Sequence, residues 1–398
     1  MKQHRTVLLA ALSAVLFCGA DWRQFRGTHG TGVADGQAGP EKLTDKDIAW
    51  KAPLIGRGPA GPIVVAGKVF VTASSAYRES RLHLLAFDAA TGRPLWHRQL
   101  WATGHTVANP FGAVADNTPA SDGQRIYAFF SSNDLVCFDL DGNLLWHRGL
   151  AYETPMTRND VGMASSPIVV GRTVVVQMES QSESYAAGID ADTGQTRWRA
   201  DRRHEACWTT PIVVRPRYGA ELVVLQSKSH ATALDPATGR QLWDTELACS
   251  TMSTGVAGGE TLFLPADGLY AFRLAGQTFQ PVWEQKKLRC ATASPMLVGD
   301  RLYLIKSPSI LVAAKAADGE QLWQVRLKGP MWATPAIVGD LLYAVSYDGL
   351  VQVVKLAAQE GKLIATGQID GKVLASPAAA DGAVYFRTDQ NLWKFGRK

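Results

Sequence analysis

The chain is short of charge, of cysteine and of long apolar runs, and each shortage removes a class of protein. Charged residues are 19% of 398 positions and the formal net charge is only +5. Soluble domains usually carry about 25% charged residues. Without Lys2 and Arg5 the net charge falls to about +3, which gives no electrostatic footprint for nucleic acid or an anionic membrane. The five cysteines include no Cys-x-x-Cys spacing and no adjacent pair. No His spacing completes a metal site around them. The sequence also lacks Gly-x-Ser-x-Gly, a Walker loop, His-Glu-x-x-His and a Gly-x-Gly-x-x-Gly strand–helix unit. Nothing therefore marks a nucleophile, a general base or a metal centre. The apolar run Val7 to Phe17 is too short to span a bilayer comfortably.

That run follows Lys2 and Arg5 and precedes Cys18-Gly19-Ala20, the pattern of a secretory signal cleaved after Ala20. Residues 1–20 are expected to be the leader, and the mature chain to be exported to the periplasm, the cell envelope or the outside. Acylation at Cys18 is the lesser reading, because Phe17 is bulky where a small residue is wanted. Export makes disulfides among Cys137, Cys207, Cys249 and Cys290 possible without specifying any. Cys207, Cys249 and Cys290 precede three consecutive repeat openings and are read as buried thiols.

What the sequence has in abundance is repetition. Asp88-Ala89-Ala90-Thr91-Gly92 is followed by Trp96, Asp190-Ala191-Asp192-Thr193-Gly194 by Trp198, and Asp235-Pro236-Ala237-Thr238-Gly239 by Trp243. Weaker copies end at Gly142 with Trp146 and at Gly319 with Trp323, the Trp always four residues after the Gly. Each unit opens with a small residue and usually a Pro: Gly61-Pro62, Thr118-Pro119, Ser166-Pro167, Thr210-Pro211, Thr254-Gly255, Ser294-Pro295, Thr334-Pro335 and Ser376-Pro377. Four short strands fit between successive openings. A strand-rich period near forty residues predicts an all-β, eight-bladed propeller of four-stranded antiparallel blades. The last unit has room for three strands, so Ile48-Ala49-Trp50 is expected to supply the fourth and close the ring. Residues 21–47 are set apart as an extension, and residues 48–398 as a single propeller domain.

Asp-x-x-Thr-Gly is a tight turn, with Asp accepting backbone N–H groups and Gly free to take φ > 0. A large flat residue at a fixed offset is what packing between blades requires. Trp50, Trp96, Trp146, Trp198, Trp243, Trp283 and Trp323 are therefore read as structural wedges. The seventh unit has Ala365 at that place and lacks one.

Insertions stand out against this rhythm. From Trp to the next blade's Pro there are 11 residues after Trp283 and after Trp323, but 22 after Trp96 and 20 after Trp146. The extra length crowds one sector of one face, and loops of that kind carry function more often than the core does. Candidate binding residues there are His105, Asn109, Phe111, Tyr152, Arg158, Asn159 and Asp160. Trp208 and Trp332 lie outside the wedge series, each three residues before its blade's Pro. They would stack on a ligand or plug the channel.

The repeat resembles that of pyrroloquinoline-quinone-type propellers over roughly residues 48–398. Asp21-Trp22-Arg23-Gln24-Phe25-Arg26-Gly27 looks like the start of secreted bacterial members of that class. The resemblance implies one of two occupations. One is that of the outer-membrane barrel-assembly scaffold, which is not an enzyme; the other is that of the quinoprotein alcohol dehydrogenases. The dehydrogenases' adjacent-cysteine disulfide has no counterpart here, and their calcium-binding Glu and Asn and catalytic Asp fall on no matching position. The expectation is a non-catalytic, cofactor-free monomer binding a protein or polymer, with no catalytic residue and no metal. The alternative is a reduced-size dehydrogenase using quinone with calcium.

Overall fold

The computed structural model describes residues 21–396 apart from Asp35, Gln37, Ala108, Asn159 and Asp160. Residues 1–20, read as a leader in the sequence, and Cys18 among them therefore lie outside the described residues. The chain folds into eight antiparallel sheets arranged as the blades of a propeller. Blade 1 is typical. Its strands run Ile63–Val65, Lys68–Ser75, Arg81–Asp88 and Pro94–Trp101 from the axis outward. The inner three are largely buried, whereas the outermost alternates between exposed and half-buried positions, as a strand with one wet face must.

The ring closes as the sequence predicts. Ile48–Pro53 pairs antiparallel with Asn391–Phe395, and Trp50 lies opposite Lys394. Closure leaves the last blade four-stranded, with Asn391–Phe395 paired on both sides. Apolar side chains are distributed as layers between neighbouring blades. Ile63, Phe70 and Leu84 of blade 1 pack with Ile126 and Phe138 of blade 2, and similar layers recur around the ring.

The turn and the tryptophan are two halves of one joint. Asp88 Oδ1 accepts Ala90 N–H at 3.1 Å and Thr91 N–H at 2.8 Å, and Gly92 takes φ 72°. Trp50 of the preceding blade lies over that glycine, where a Cβ would come within 2.6 Å of the indole. Trp50 Nε1 donates to Ala89 O at 3.1 Å. Trp96 repeats this on Leu140 O at 3.0 Å, Trp146 on Ala191 O at 3.1 Å and Trp198 on Pro236 O at 2.9 Å. Trp283 and Trp323 reach Ala316 O and Ala357 O, both at 3.1 Å. Trp243 faces the blade without such a turn and packs instead on Phe272 and Phe279, with centroids 5.5 and 5.1 Å away. Ala365 faces blade 8, whose last two strands come from opposite chain ends, so no turn is there to cover. Leu43 is buried against Gly367 of the Ala365 strand, in the apolar layer on which Ile364 and Ala365 also pack.

The Ser/Thr-Pro openings form a second circular device. Gly61 N–H donates to Thr118 Oγ1 at 3.0 Å, Thr118 N–H to Ser166 Oγ at 3.0 Å and Ser166 N–H to Thr210 Oγ1 at 3.2 Å. The series continues through Thr254, Ser294 and Thr334 to Ser376, at 2.9 to 3.1 Å. Each hydroxyl satisfies the buried backbone donor of the blade before it. The small residue of the repeat is thus a hydrogen-bond acceptor on the channel wall as well as a strand opening.

Residues 21–34 lie across the other end of the inner strands. Trp22 exchanges two backbone bonds with Val64 of blade 1, and Ser121 N–H of blade 2 donates to Arg23 O at 2.8 Å. On the opposite side Leu297 N–H donates to Thr31 O at 3.2 Å, and Val33–Ala34 adds a parallel fifth strand to Ala336–Val338 of blade 7. Between them Arg26 is 4% exposed and donates to Gly255 O at 2.5 Å and Pro295 O at 3.0 Å. The segment that reads as an extension is a strap across the channel.

Candidate functional site

Above the strap the channel opens into a funnel of about 440 Å3, within the size range of small-molecule sites. Phe25 of the strap forms part of its lining, together with the hydroxyl residues Thr118, Ser166, Thr210, Thr254, Ser294, Thr334 and Ser376. Each hydroxyl has one lone pair committed to a backbone N–H and keeps a rotatable proton. Trp208, Trp332, Phe111, Met252, Val161 and Leu374 supply apolar surface.

The first inserted loop builds one wall. Its base is tied to the disc: Thr103 donates to Asp134 through N–H at 2.9 Å and Oγ1 at 2.6 Å, and Val114 N–H donates to Glu79 Oε2 at 2.9 Å. Arg57 pairs with Glu79 at 2.9 Å and donates to Asn109 O at 3.2 Å. The tip crosses the mouth, where Phe111 stacks on Trp332 with centroids 5.2 Å apart and planes 17° apart. The second loop is joined to it by Asn109 Nδ2, which donates to Val161 O at 2.8 Å. Trp208 Nε1 donates to Gly162 O at 2.8 Å and holds that loop from the other side. Phe111, Val161 and Met252 are each about half exposed at the rim.

Of the sequence candidates, Asn109, Phe111, Trp208 and Trp332 meet in this funnel. His105, Tyr152 and Arg158 do not line it. Asn159 and Asp160 lie outside the described residues. Trp208 and Trp332 are walls, and the channel is blocked by the strap instead. Three contributors escape a reading of the sequence: Asp116, Phe25 and the hydroxyl ring. Only the ring carries a signal, its recurrence before each Pro.

Asp116 is the one charged residue among the described residues of the lining. Its Oδ1 accepts Ala113 N–H at 2.6 Å. Burial pushes its pKa up to about 8; the Glu79 charge adds to the rise, while the Ala113 bond, Arg57 and Arg387 oppose it. The cysteines do not take part. All four are free, and burial raises the Cys137 and Cys207 thiols to about 12. Among the described residues no cluster of three or more His, Cys, Asp or Glu could hold a metal.

The fold and repeat place the protein among quinone-type repeat propellers. A family model described as outer membrane protein assembly factor BamB matches residues 41–162, 156–261 and 273–364, and the chain belongs to that family. Among solved structures, BamB from Moraxella catarrhalis is similar at 18% identity and TM-score 0.65, covering 88% of this chain and 97% of that one. A europium-containing methanol dehydrogenase is similar at 12% identity and TM-score 0.72, covering 95% and 98%. The quinohemoprotein alcohol dehydrogenase from Comamonas testosteroni gives 14% and 0.71, covering 95% and 81%. These likenesses extend to the fold. No curated protein matches the chain in sequence.

The alternative expected from the sequence is a dehydrogenase using quinone with calcium, and the funnel is a poor match for that pair. Calcium takes six to eight oxygen ligands, commonly with several carboxylates. The described lining offers one carboxylate, and the Asn109 side-chain oxygen already accepts Phe111 N–H at 2.8 Å. The quinone is a tricarboxylate, and no cation among the described residues lines the funnel to receive it.

Proposed function

We propose that this is an exported, non-catalytic propeller that holds a protein or polymer partner at the mouth of its channel. The observation that carries the reading is the way two inserted loops meet over the mouth and leave half-exposed Phe111, Val161 and Met252 around an apolar funnel. Apolar surface concentrated at a concave mouth and framed by fixed loops is suited to anchoring a partner's side chains. Membership of the BamB family supports a binding role in the envelope, and no described helix is long and apolar enough to cross a membrane.

Photo-crosslinking in the native envelope tests this. A reactive side chain at Met252 should capture a discrete partner, and one at Leu145, exposed on an outer strand of blade 2, should not. Equal capture at both positions sinks the proposal. So does dye-linked alcohol oxidation by protein loaded with quinone and calcium, which would make the protein a dehydrogenase.

A further inference from the structure

We infer that the funnel is a receptor for a primary ammonium group, with Asp116 as its counter-ion and Trp208, Trp332 and Phe111 as its walls. The inference deepens the proposed binding role and rests on the funnel being the binding site. Asp116 is the single charged residue among the described lining residues, so the one charge the wall itself presents is, when ionised, a counter-ion for a cation. One of its oxygens is committed to Ala113 N–H. The other, Oδ2, accepts no hydrogen bond found among the described residues and lies beside two glycines of the inserted loops. A Cβ at Gly112 would lie 2.9 Å from it, and one at Gly162 3.8 Å. Gly162 is the residue whose carbonyl Trp208 holds, so carboxyl and indole border the same glycine and line the same funnel. Phe111 and Trp332 form a continuous stacked wall. Aromatic faces attract cations, and a carboxylate set among them completes a site for an ammonium. The hydroxyl ring adds acceptors, because each oxygen keeps a second lone pair. A carboxylate-bearing ligand would meet Asp116 without a cation in the lining to offset it.

The charged groups that bear on Asp116 are Glu79 from the turn after Lys68–Ser75, Arg57 ahead of Ile63–Val65, and Arg387 in Ala383–Arg387. Arg57 is already paired with Glu79, and Arg387 donates to Ala60 O at 2.9 Å. Neither is hydrogen-bonded to Asp116. With its pKa near 8, the carboxyl is mostly neutral at pH 6.5 and mostly ionised at pH 9, while an alkylamine stays protonated. Ammonium binding should therefore strengthen with rising pH, in a range where an ordinary carboxylate is already fully charged.

Calorimetric titration with n-butylammonium and with the neutral isostere n-butanol, at pH 6.5 and pH 9, tests this. Butylammonium should bind up to about thirtyfold more tightly at pH 9 than at pH 6.5, the ratio of the ionised fractions of a group of that pKa. Butanol should show no such rise, and Asp116→Asn should remove it. If Asp116→Asn melts early, the wild-type comparison of the two probes decides alone. A third probe, Nα-acetyl-lysine amide, separates sources. Binding with the same pH rise means that a partner's lysine side chain is admitted; a rise for butylammonium alone means a free amine; both support the inference. Equal affinity for butylammonium and butanol at pH 9, no binding of either, or a rise that survives in a folded Asp116→Asn protein overturns it. The probes are small molecules, so failure of partner crosslinking leaves this result standing, and failure here leaves the crosslinking result standing.

Discussion

At the scale of the residue, one tryptophan and one turn explain why the repeat exists. Trp198 is 7% exposed, covers Gly239 and donates to Pro236 O. Trp198→Ala should cost about 3–5 kcal/mol, as large-to-small core changes do. Trp101 ends an outer strand at 59% exposure, with Arg81 over its face at 3.9 Å. Trp101→Ala should cost under about 1 kcal/mol, the worth of an exposed cation–π pair. Urea denaturation checks both, and equal losses would refute the role assigned to the wedge. A different residue sets an acid limit. His83 is buried, accepts or donates with Ser75 at 2.7 Å and with His97 at 2.9 Å, and has a pKa lowered to about 4 by burial first, then by His97 and Arg81. The unfolded chain takes up this proton near pH 6.5, whereas the folded protein resists it until about pH 4. Stability is therefore present above pH 6.5 and lost as pH falls through that window. His83→Leu should be less stable than wild type at pH 7.5 yet lose less between pH 7 and pH 4.5 in thermal melts. An unchanged slope would show that His83 does not titrate there.

At the scale of the element, the ring of hydroxyls and the inserted loops divide the work of holding the channel open. Thr210 Oγ1 takes Ser166 N–H at 3.2 Å in a buried position. Thr210→Val keeps the shape but strands that donor, and should cost about 1–3 kcal/mol; Thr210→Ser should be close to neutral. Equal denaturation midpoints for the two variants would count against the belt. The first inserted loop is equally structural at its base, because Val114 and Ala115 are fully buried and Glu79 holds the Val114 amide. Shortening residues 97–117 to the length of later blades should therefore lower the melting temperature as well as remove the mouth. Legibility in the sequence follows from periodicity. The wedge and the turn recur at fixed offsets, and recurrence alone is enough to reveal them; the closing strand is legible because the last unit is one strand short. Phe111 and Trp332 are legible only as departures from that rhythm. Asp116 has no signal: it occurs once, inside an insertion, and its pKa is raised first by burial, with Glu79, Arg57 and Arg387 bearing on it from three other segments. The hydroxyls are visible in the sequence only as strand openings, because their role as acceptors arises when adjacent blades are brought side by side.

At the scale of the whole molecule, the two ends of the chain close the ring and the strap closes the channel, and the two closures are separable. Ring closure rests on Ile48–Pro53 filling the outer place of blade 8. Channel closure rests on residues 21–34, which bind blades 1, 2, 5, 6 and 7 mainly through backbone groups and the Arg26 guanidinium. Contacts of that kind have no period, and nothing in Asp21–Gly27 signals that Trp22 lies against Gly27, with Gly27 at φ 82°, and pairs with a strand of blade 1. Removing residues 21–34 should leave the ring intact: a cooperative melt at lower temperature, in a protein whose channel is open at both ends. Removing residues 21–55 also takes Trp50 from its place over Gly92 and leaves an unpaired edge on blade 8 facing blade 1. Blades that bury their apolar surface only against neighbours lose cooperativity once the circle is cut, and the free edge invites association between molecules. The longer deletion should therefore aggregate or melt over a broad range, while the shorter one melts sharply. Two equally sharp transitions would mean that the circle does not depend on its N-terminal strand, and that packing around blades 1 to 7 is enough to hold the disc.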